Sequence, residues 1–195
     1  MEREELDRAL ASGRSEEERL AIFGALLAKE SKLGRRLILV GGAAIEIYLS
    51  SDRYVSQDID VVGEKEAIRP VLRKWGFEPE EGRDRRLYWS KAGLGKVDLV
   101  GAVDRSGLRP TRKETPYGAV YLGPVEYLIV RRLMRAGRER SVELFRQAEV
   151  LAAENASTLD WGYIRIQAKY EGVLPLYEQL REQVGPVSSQ RVGRE

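Results

Sequence analysis

An aspartate set between branched aliphatic residues is costly to bury, and this chain places one so at two points. Asp60 stands between Ile59 and Val61, and Asp98 between Val97 and Leu99. Short frames of this kind, rich in Val and Ile, read as buried strands rather than amphipathic helices. Strand period is two, so Asp58 and Asp60 project from one face of a strand over Asp58 to Val62, and Asp98 joins them if Lys96 to Val100 pairs alongside. Upstream, Arg36 to Val40 reads as a buried strand that ends at Gly41-Gly42, and Ala43 to Leu49 as a helix leaving directly from the glycines.

The remaining pattern completes a mixed α/β (α+β) chain. Glu2 to Leu10 and Ser15 to Lys32 are predicted helices, the second opened by Ser15 with Glu18 three residues on, a capping-box spacing. Glu66 to Trp75 is a helix with Ile68, Val71, Leu72 and Trp75 inward, and Arg86 to Ser90 and Lys96 to Val100 form two strands about the Gly93-to-Gly95 turn. A loop rich in Arg, Pro and Thr from Asp104 to Pro116 leads to a short strand, Ala119 to Leu122. From Pro124 the pattern is helical: Val125 to Arg135, Arg138 to Ala153, Leu159 to Tyr170 and Leu174 to Glu182, with Trp161, Tyr163, Tyr170 and Tyr177 packing these helices together. The predicted organisation is N-terminal helices over 1–34 packed on the core, a sheet domain over 35–123, a helical region over 124–184 and a flexible tail over 185–195.

Composition removes much chemistry. The chain of 195 residues contains no Cys and no His, so thiol nucleophiles, disulfides, Cys-based zinc sites and imidazole bases are excluded. Lys and Arg total 33 against 31 Asp and Glu, so any affinity for nucleic acid must come from local patches. No apolar run approaches the roughly 20 residues of a membrane span, and the charged start Met1-Glu2-Arg3-Glu4-Glu5 is not a secretory signal; a cytoplasmic protein without membrane contact is expected.

What remains is carboxylate and metal chemistry. Taken singly, Asp58, Asp60 and Asp98 read as polar strand residues. Taken together, three clustered anions need a counter-charge, which a hard divalent cation supplies through oxygen ligands. Two such ions bridged by shared carboxylates are a common device for displacing a phosphate ester in line. A bare strand-to-helix turn also needs glycine's dihedral freedom, but Gly41-Gly42 in addition lets backbone approach phosphate oxygens at a helix start. Neither a dinucleotide fingerprint nor a Walker loop is present.

The run Leu37-Ile38-Leu39-Val40-Gly41-Gly42-Ala43-Ala44-Ile45-Glu46, then Arg53-Tyr54-Val55-Ser56-Gln57-Asp58-Ile59-Asp60-Val61-Val62, then Lys96-Val97-Asp98-Leu99 resembles the nucleotidyltransferase superfamily of the DNA polymerase β-like fold. Its Arg-x-x-Ser-x-Asp-Ile-Asp wording is most similar to the minimal AbiEii/MenT-like nucleotidyltransferases. The resemblance spans Leu37 to Val100, with a looser likeness after Pro124. It implies transfer of a nucleoside monophosphate from a triphosphate such as ATP to a hydroxyl acceptor, with release of pyrophosphate. It implies two Mg2+ ions, or Mn2+, on Asp58, Asp60 and Asp98, with Asp98 also helping to activate the hydroxyl. Gly41, Gly42, Arg53 and Ser56 would contact the nucleotide.

The acceptor implied is RNA or tRNA, a protein, or a small molecule, since related folds adenylylate aminoglycosides and lincosamides. A toxin role would bring a cognate antitoxin protein as partner. Toxin-like relatives carry a lysine early in the helix after the sheet, where this chain has Arg131 and Arg132; one of the two is expected on the triphosphate, since consecutive helical residues diverge by about 100°. Arg83, Arg85 and Arg86 beside Tyr88 and Trp89 form a second basic and aromatic candidate surface. The alternative is a non-catalytic nucleotide-binding or antitoxin-like module on the same fold.

Overall fold

A computed structural model describes residues 1–49, 58–79, 87–91, 95–100 and 109–185, with 87–91 described for the backbone alone. By contacts the chain divides into two units, Met1–Pro124 and Val125–Glu195.

The first unit begins with α1 (Arg3–Ala11) and α2 (Glu16–Glu30). Ser15 caps α2 by accepting from the Glu18 amide at 3.4 Å, while the Glu18 carboxylate turns back to the Arg14 amide at 2.7 Å. The reciprocal bond of the expected capping box therefore lands one residue early. Next come β1 (Ile38–Val40), α3 (Gly41–Leu49), β2 (Asp58–Val62), α4 (Lys65–Lys74), β3 (Glu78–Pro79), β4 (Leu87–Lys91), β5 (Gly95–Val100), β6 (Thr111–Thr115) and β7 (Gly118–Leu122).

Among the described residues the strands form one mixed seven-stranded sheet in the order β3-β4-β5-β2-β1-β7-β6, so the mixed α+β class read from the sequence is borne out. Pairs β1–β7 and β2–β5 are parallel and the others antiparallel. The expected loop from Asp104 to Pro116 contains a strand, β6, that its Arg, Lys and Glu content concealed. Thr115 closes the β6–β7 turn, its hydroxyl accepting from the Tyr117 amide at 3.1 Å and donating to the Gly118 carbonyl at 2.8 Å.

Register separates the two faces of the sheet. Leu122, Leu39, Val61 and Leu99 lie opposite one another across four strands, each at most 1 % exposed. Helix α2 covers this face so closely that a methyl group at Gly24 would meet Leu39 and Val120 at 2.7 Å. Phe23 of α2 packs edge-on to Trp75, ring centroids 5.8 Å apart, and 5.9 Å from Phe77. Gly76, at φ +79°, lets the chain turn after α4 so that the Phe77 amide bonds back to the Leu72 carbonyl at 2.9 Å and delivers Phe77 to this cluster.

The second unit comprises α5 (Val125–Glu139), α6 (Val142–Glu154), α7 (Trp161–Tyr170) and α8 (Leu174–Val184). Helix α5 runs four residues past its expected end at Arg135. Gly137 does not stop it; a Cβ there would lie 3.2 Å from Leu176 of α8, so the glycine serves close helix approach. The break comes at Arg140, at φ +50°, followed by Ser141, which caps α6 through the Leu144 amide at 3.3 Å. Trp161 and Tyr177 pack with centroids 6.5 Å apart beneath the Arg181 guanidinium, which lies 4.1 Å from the Trp161 ring. Tyr170, expected between helices, is 83 % exposed instead.

Because Phe23 is 1 % exposed and joins α2 to both Trp75 and Phe77, Phe23→Ala is expected to cost about 3–5 kcal/mol of stability, read from the shift in denaturant midpoint of the full chain.

Candidate active site

The site begins where β1 becomes α3. Gly41 opens the helix at φ +61°, a left-handed conformation that costs a residue with a Cβ roughly 1–2 kcal/mol. A second constraint falls on the same atom. A Cβ built on Gly41 would sit 1.7 Å from Oδ2 of Asp60 and 2.7 Å from its Cγ, so the Asp60 carboxylate occupies the space a side chain would take. Asp60 is thereby seated against the start of α3, where the peptide dipoles favour negative charge. Gly42 is buried in the first turn.

The neighbouring strands arrange the other carboxylates. Asp60 lies opposite Val40 on β1 and opposite Asp98 on β5; Asp58 lies opposite Lys96. Residues in register share a face, so the carboxylates occupy the face turned away from α2. The third carboxylate thus pairs with the second, and the first faces a lysine. Asp58 and Lys96 are exposed, Asp60 is half-buried and Asp98 is 2 % exposed. Paired strands run about 4.8 Å apart, and two full negative charges at about 5 Å repel by roughly 3 kcal/mol at an effective dielectric near 20. A proton or a cation shared between Asp60 and Asp98 relieves that repulsion.

The donor set selects among cations. Carboxylate oxygens in a chain with no Cys or His suit Mg2+ or Mn2+ and disfavour zinc, so the residues present fit a hard divalent ion. Among the described residues, no three Asp or Glu side chains are gathered closely enough to form a complete site. Asp60 and Asp98 are the adjacent pair, with Asp58 at the outer position.

Arg53 and Ser56 lie outside the described residues, as do Arg83, Arg85 and Arg86 and the side chains of Tyr88 and Trp89. On α5 of the second unit, Arg131 is exposed and Arg132 is 5 % exposed. Part of the basic run there is neutralised within its own helix: Arg135 donates to Glu139 at 2.8 Å and holds that carboxyl below its ordinary range. Sequence reading passed over Glu46, a carboxylate 2 % exposed on α3. Its signal was present, a single charge inside Ala43-Ala44-Ile45-Glu46-Ile47.

The contact between Gly41 and Asp60 is open to a double-mutant cycle. Gly41→Ala is expected to destabilise by more than the left-handed backbone penalty alone, and Asp60→Ala to relieve part of the excess, giving a coupling of about 1–3 kcal/mol in equilibrium unfolding.

No family model matches the chain, and no curated protein matches it. Solved structures do. The antibiotic-resistance factor ANT(2'')-Ia, in its solution structure, is similar at a TM-score of 0.55 and 16 % identity, over 83 % of this chain and 95 % of that one. An antigenic nucleotidyltransferase-like protein from Paracoccidioides brasiliensis is similar at a TM-score of 0.56 and 15 % identity, over 87 % of this chain and 93 % of that one. The chain shares the fold of these two structures, carried over nearly the whole length of each.

Proposed function

We propose that this protein is a metal-dependent nucleotidyltransferase, moving a nucleoside monophosphate from a nucleoside triphosphate to a hydroxyl acceptor. The observation that carries the reading is the register of Asp60 with Asp98, with Asp60 seated on Gly41 at the start of a helix. A carboxylate pair beside a glycine helix start suits a polyphosphate and its counter-ions better than it suits a stable strand pairing.

Asp60 and Asp98, with Asp58 beside them, are the residues that would hold Mg2+ or Mn2+. Bound there, the ion would supply charge neutralisation to the phosphates and would acidify the attacking hydroxyl. Gly41 and Gly42 would present backbone amides at the start of α3, and Arg53 and Ser56 are the further proposed nucleotide contacts. In the transfer, the acceptor oxygen bonds to the α-phosphorus as the bond from that phosphorus to the α–β bridging oxygen breaks. Pyrophosphate leaves with the bonding electrons, and the hydroxyl proton passes to Asp98.

Two acceptor classes fit. The Arg-x-x-Ser-x-Asp-Ile-Asp wording favours RNA or tRNA, with the protein a toxin neutralised by a partner. The likeness to an antibiotic-resistance factor favours a small polyhydroxyl molecule instead.

The purified protein, given each nucleoside triphosphate labelled at the α-phosphate with Mg2+ and either total RNA or a panel of aminoglycosides, is expected to transfer label to one acceptor class and release pyrophosphate. Chelation should abolish transfer, and Asp60→Asn should lower it ~100-fold or more while the fold persists. Nucleotide binding without pyrophosphate release under every condition would replace this reading with that of a non-catalytic module.

A further inference from the structure

The far end of α3 is held by an unusual set of contacts. Lys113 lies on β6, the last strand of the sheet, opposite Val120 and so on the helix-covered face. Its amine donates to the Ile47 carbonyl in the last turn of α3 at 2.5 Å and lies 5.8 Å from the centre of the Tyr48 ring. The Tyr48 hydroxyl donates to the Gly123 carbonyl at 3.0 Å, and the Gly123 amide to the Leu39 carbonyl at 2.7 Å. Leu39 is two residues before Gly41. The contacts therefore form a closed path: β6 to the C-terminal end of α3, from there to the residue after β7, and back to β1 at the helix's own entry.

An ammonium is an expensive group to place here. Burial draws the Lys113 amine below its ordinary range, against the pull of Glu17 on α2, which raises it. The negative end of a helix dipole and an aromatic face both compensate a cation so placed. Helix C-termini are commonly satisfied by water or by local turns, so a lysine imported from the sheet edge, 66 residues away in sequence, calls for a reason beyond capping.

We propose that Lys113 is a positioning residue for nucleotidyl transfer: by fixing α3 along its axis it keeps Gly41 and Gly42 seated against the Asp60 carboxylate. The inference rests on the function proposed above. Helix α3 has nine residues and is about 13 Å long, and an α-helix transmits axial displacement along its length with little compression. Freed at its C-terminal end, α3 can slip at the Gly41 joint. A misplacement of about 1 Å at reacting groups costs as much as 100-fold in rate.

The test compares Lys113→Met, which keeps the apolar stem and removes the charge and donor, with Lys113→Arg and with Tyr48→Phe. In Lys113→Met, kcat is expected to fall ~10- to 100-fold while KM for the triphosphate changes less than about threefold, and Lys113→Arg should recover most of the loss. Tyr48→Phe, a milder change, should shift kcat in the same direction. Exchange of the Ile45 and Glu46 amides, which close the first turn of α3, should quicken at least ~10-fold in Lys113→Met, with α2 and β2 unaffected. If Lys113→Met lowers the melting temperature but leaves kcat and first-turn exchange unchanged, Lys113 is a cap alone and the proposal is wrong. The exchange measurement decides the positioning claim even if the wild-type protein transfers no nucleotide, in which case the function proposed above fails separately. Should Lys113→Met not fold, Tyr48→Phe with unaltered kcat and exchange overturns the proposal equally.

Discussion

The contact between the Asp60 carboxylate and the Cα of Gly41 ties together elements that are otherwise distinct. It requires β1 to end in a left-handed residue, α3 to start without a capping side chain, and β2 to pair with β1 so that Val40 faces Asp60. With that pairing set, period two sends Leu39 and Val61 to the face that α2 covers and Asp60 to the other. The parallel pairing of β5 then brings Asp98 to Asp60 and Leu99 to Val61. Apolar core and acidic surface are two sides of one register, and neither can move without the other.

Much of this was legible because it is periodic. Asp58-Ile59-Asp60-Val61-Val62 declares a strand with carboxylates on one side, and the apolar run into Gly41-Gly42 declares a strand, a turn and a helix. Pairing partners are another matter. That Asp98 stands opposite Asp60, and that Asp58 instead faces Lys96, depends on a parallel register between positions 38 residues apart, which no local pattern encodes. The same holds for Lys113. In Thr111-Arg112-Lys113-Glu114-Thr115 three consecutive charges look like a solvated loop, and only the pairing with β7 divides them between two faces. Gly137 is a further case, because in a sequence a glycine demanded by a neighbouring helix looks the same as a glycine that ends one.

The two units are stabilised differently. In the first, one aromatic cluster of Phe23, Trp75 and Phe77 stands between helices and sheet, and charged groups are drawn inward at Glu46 and Asp98. In the second, Leu128, Ile129, Leu133, Leu151 and Ile164 supply a core from facing helices, and Trp161 is bracketed by Tyr177 and Arg181. Buried charge in an apolar setting is retained at the expense of stability. The second unit retains one as well, Arg132 on α5, 5 % exposed.

Strand β6 illustrates how little separates a protective edge from an internal support. Arg112 and Glu114, ion-paired on its exposed side, give the open margin of the sheet a charged surface that discourages another chain from adding a strand. Lys113, between them, reaches inward to α3. Inserting a single residue between β6 and β7, at the turn that Thr115 closes, would exchange these assignments, turning the lysine to solvent and driving a charged pair against α2 and α3. This short surface hairpin, a place where chains ordinarily tolerate changes in length, should therefore tolerate them poorly here, even though it lies at the opposite end of α3 from the carboxylates.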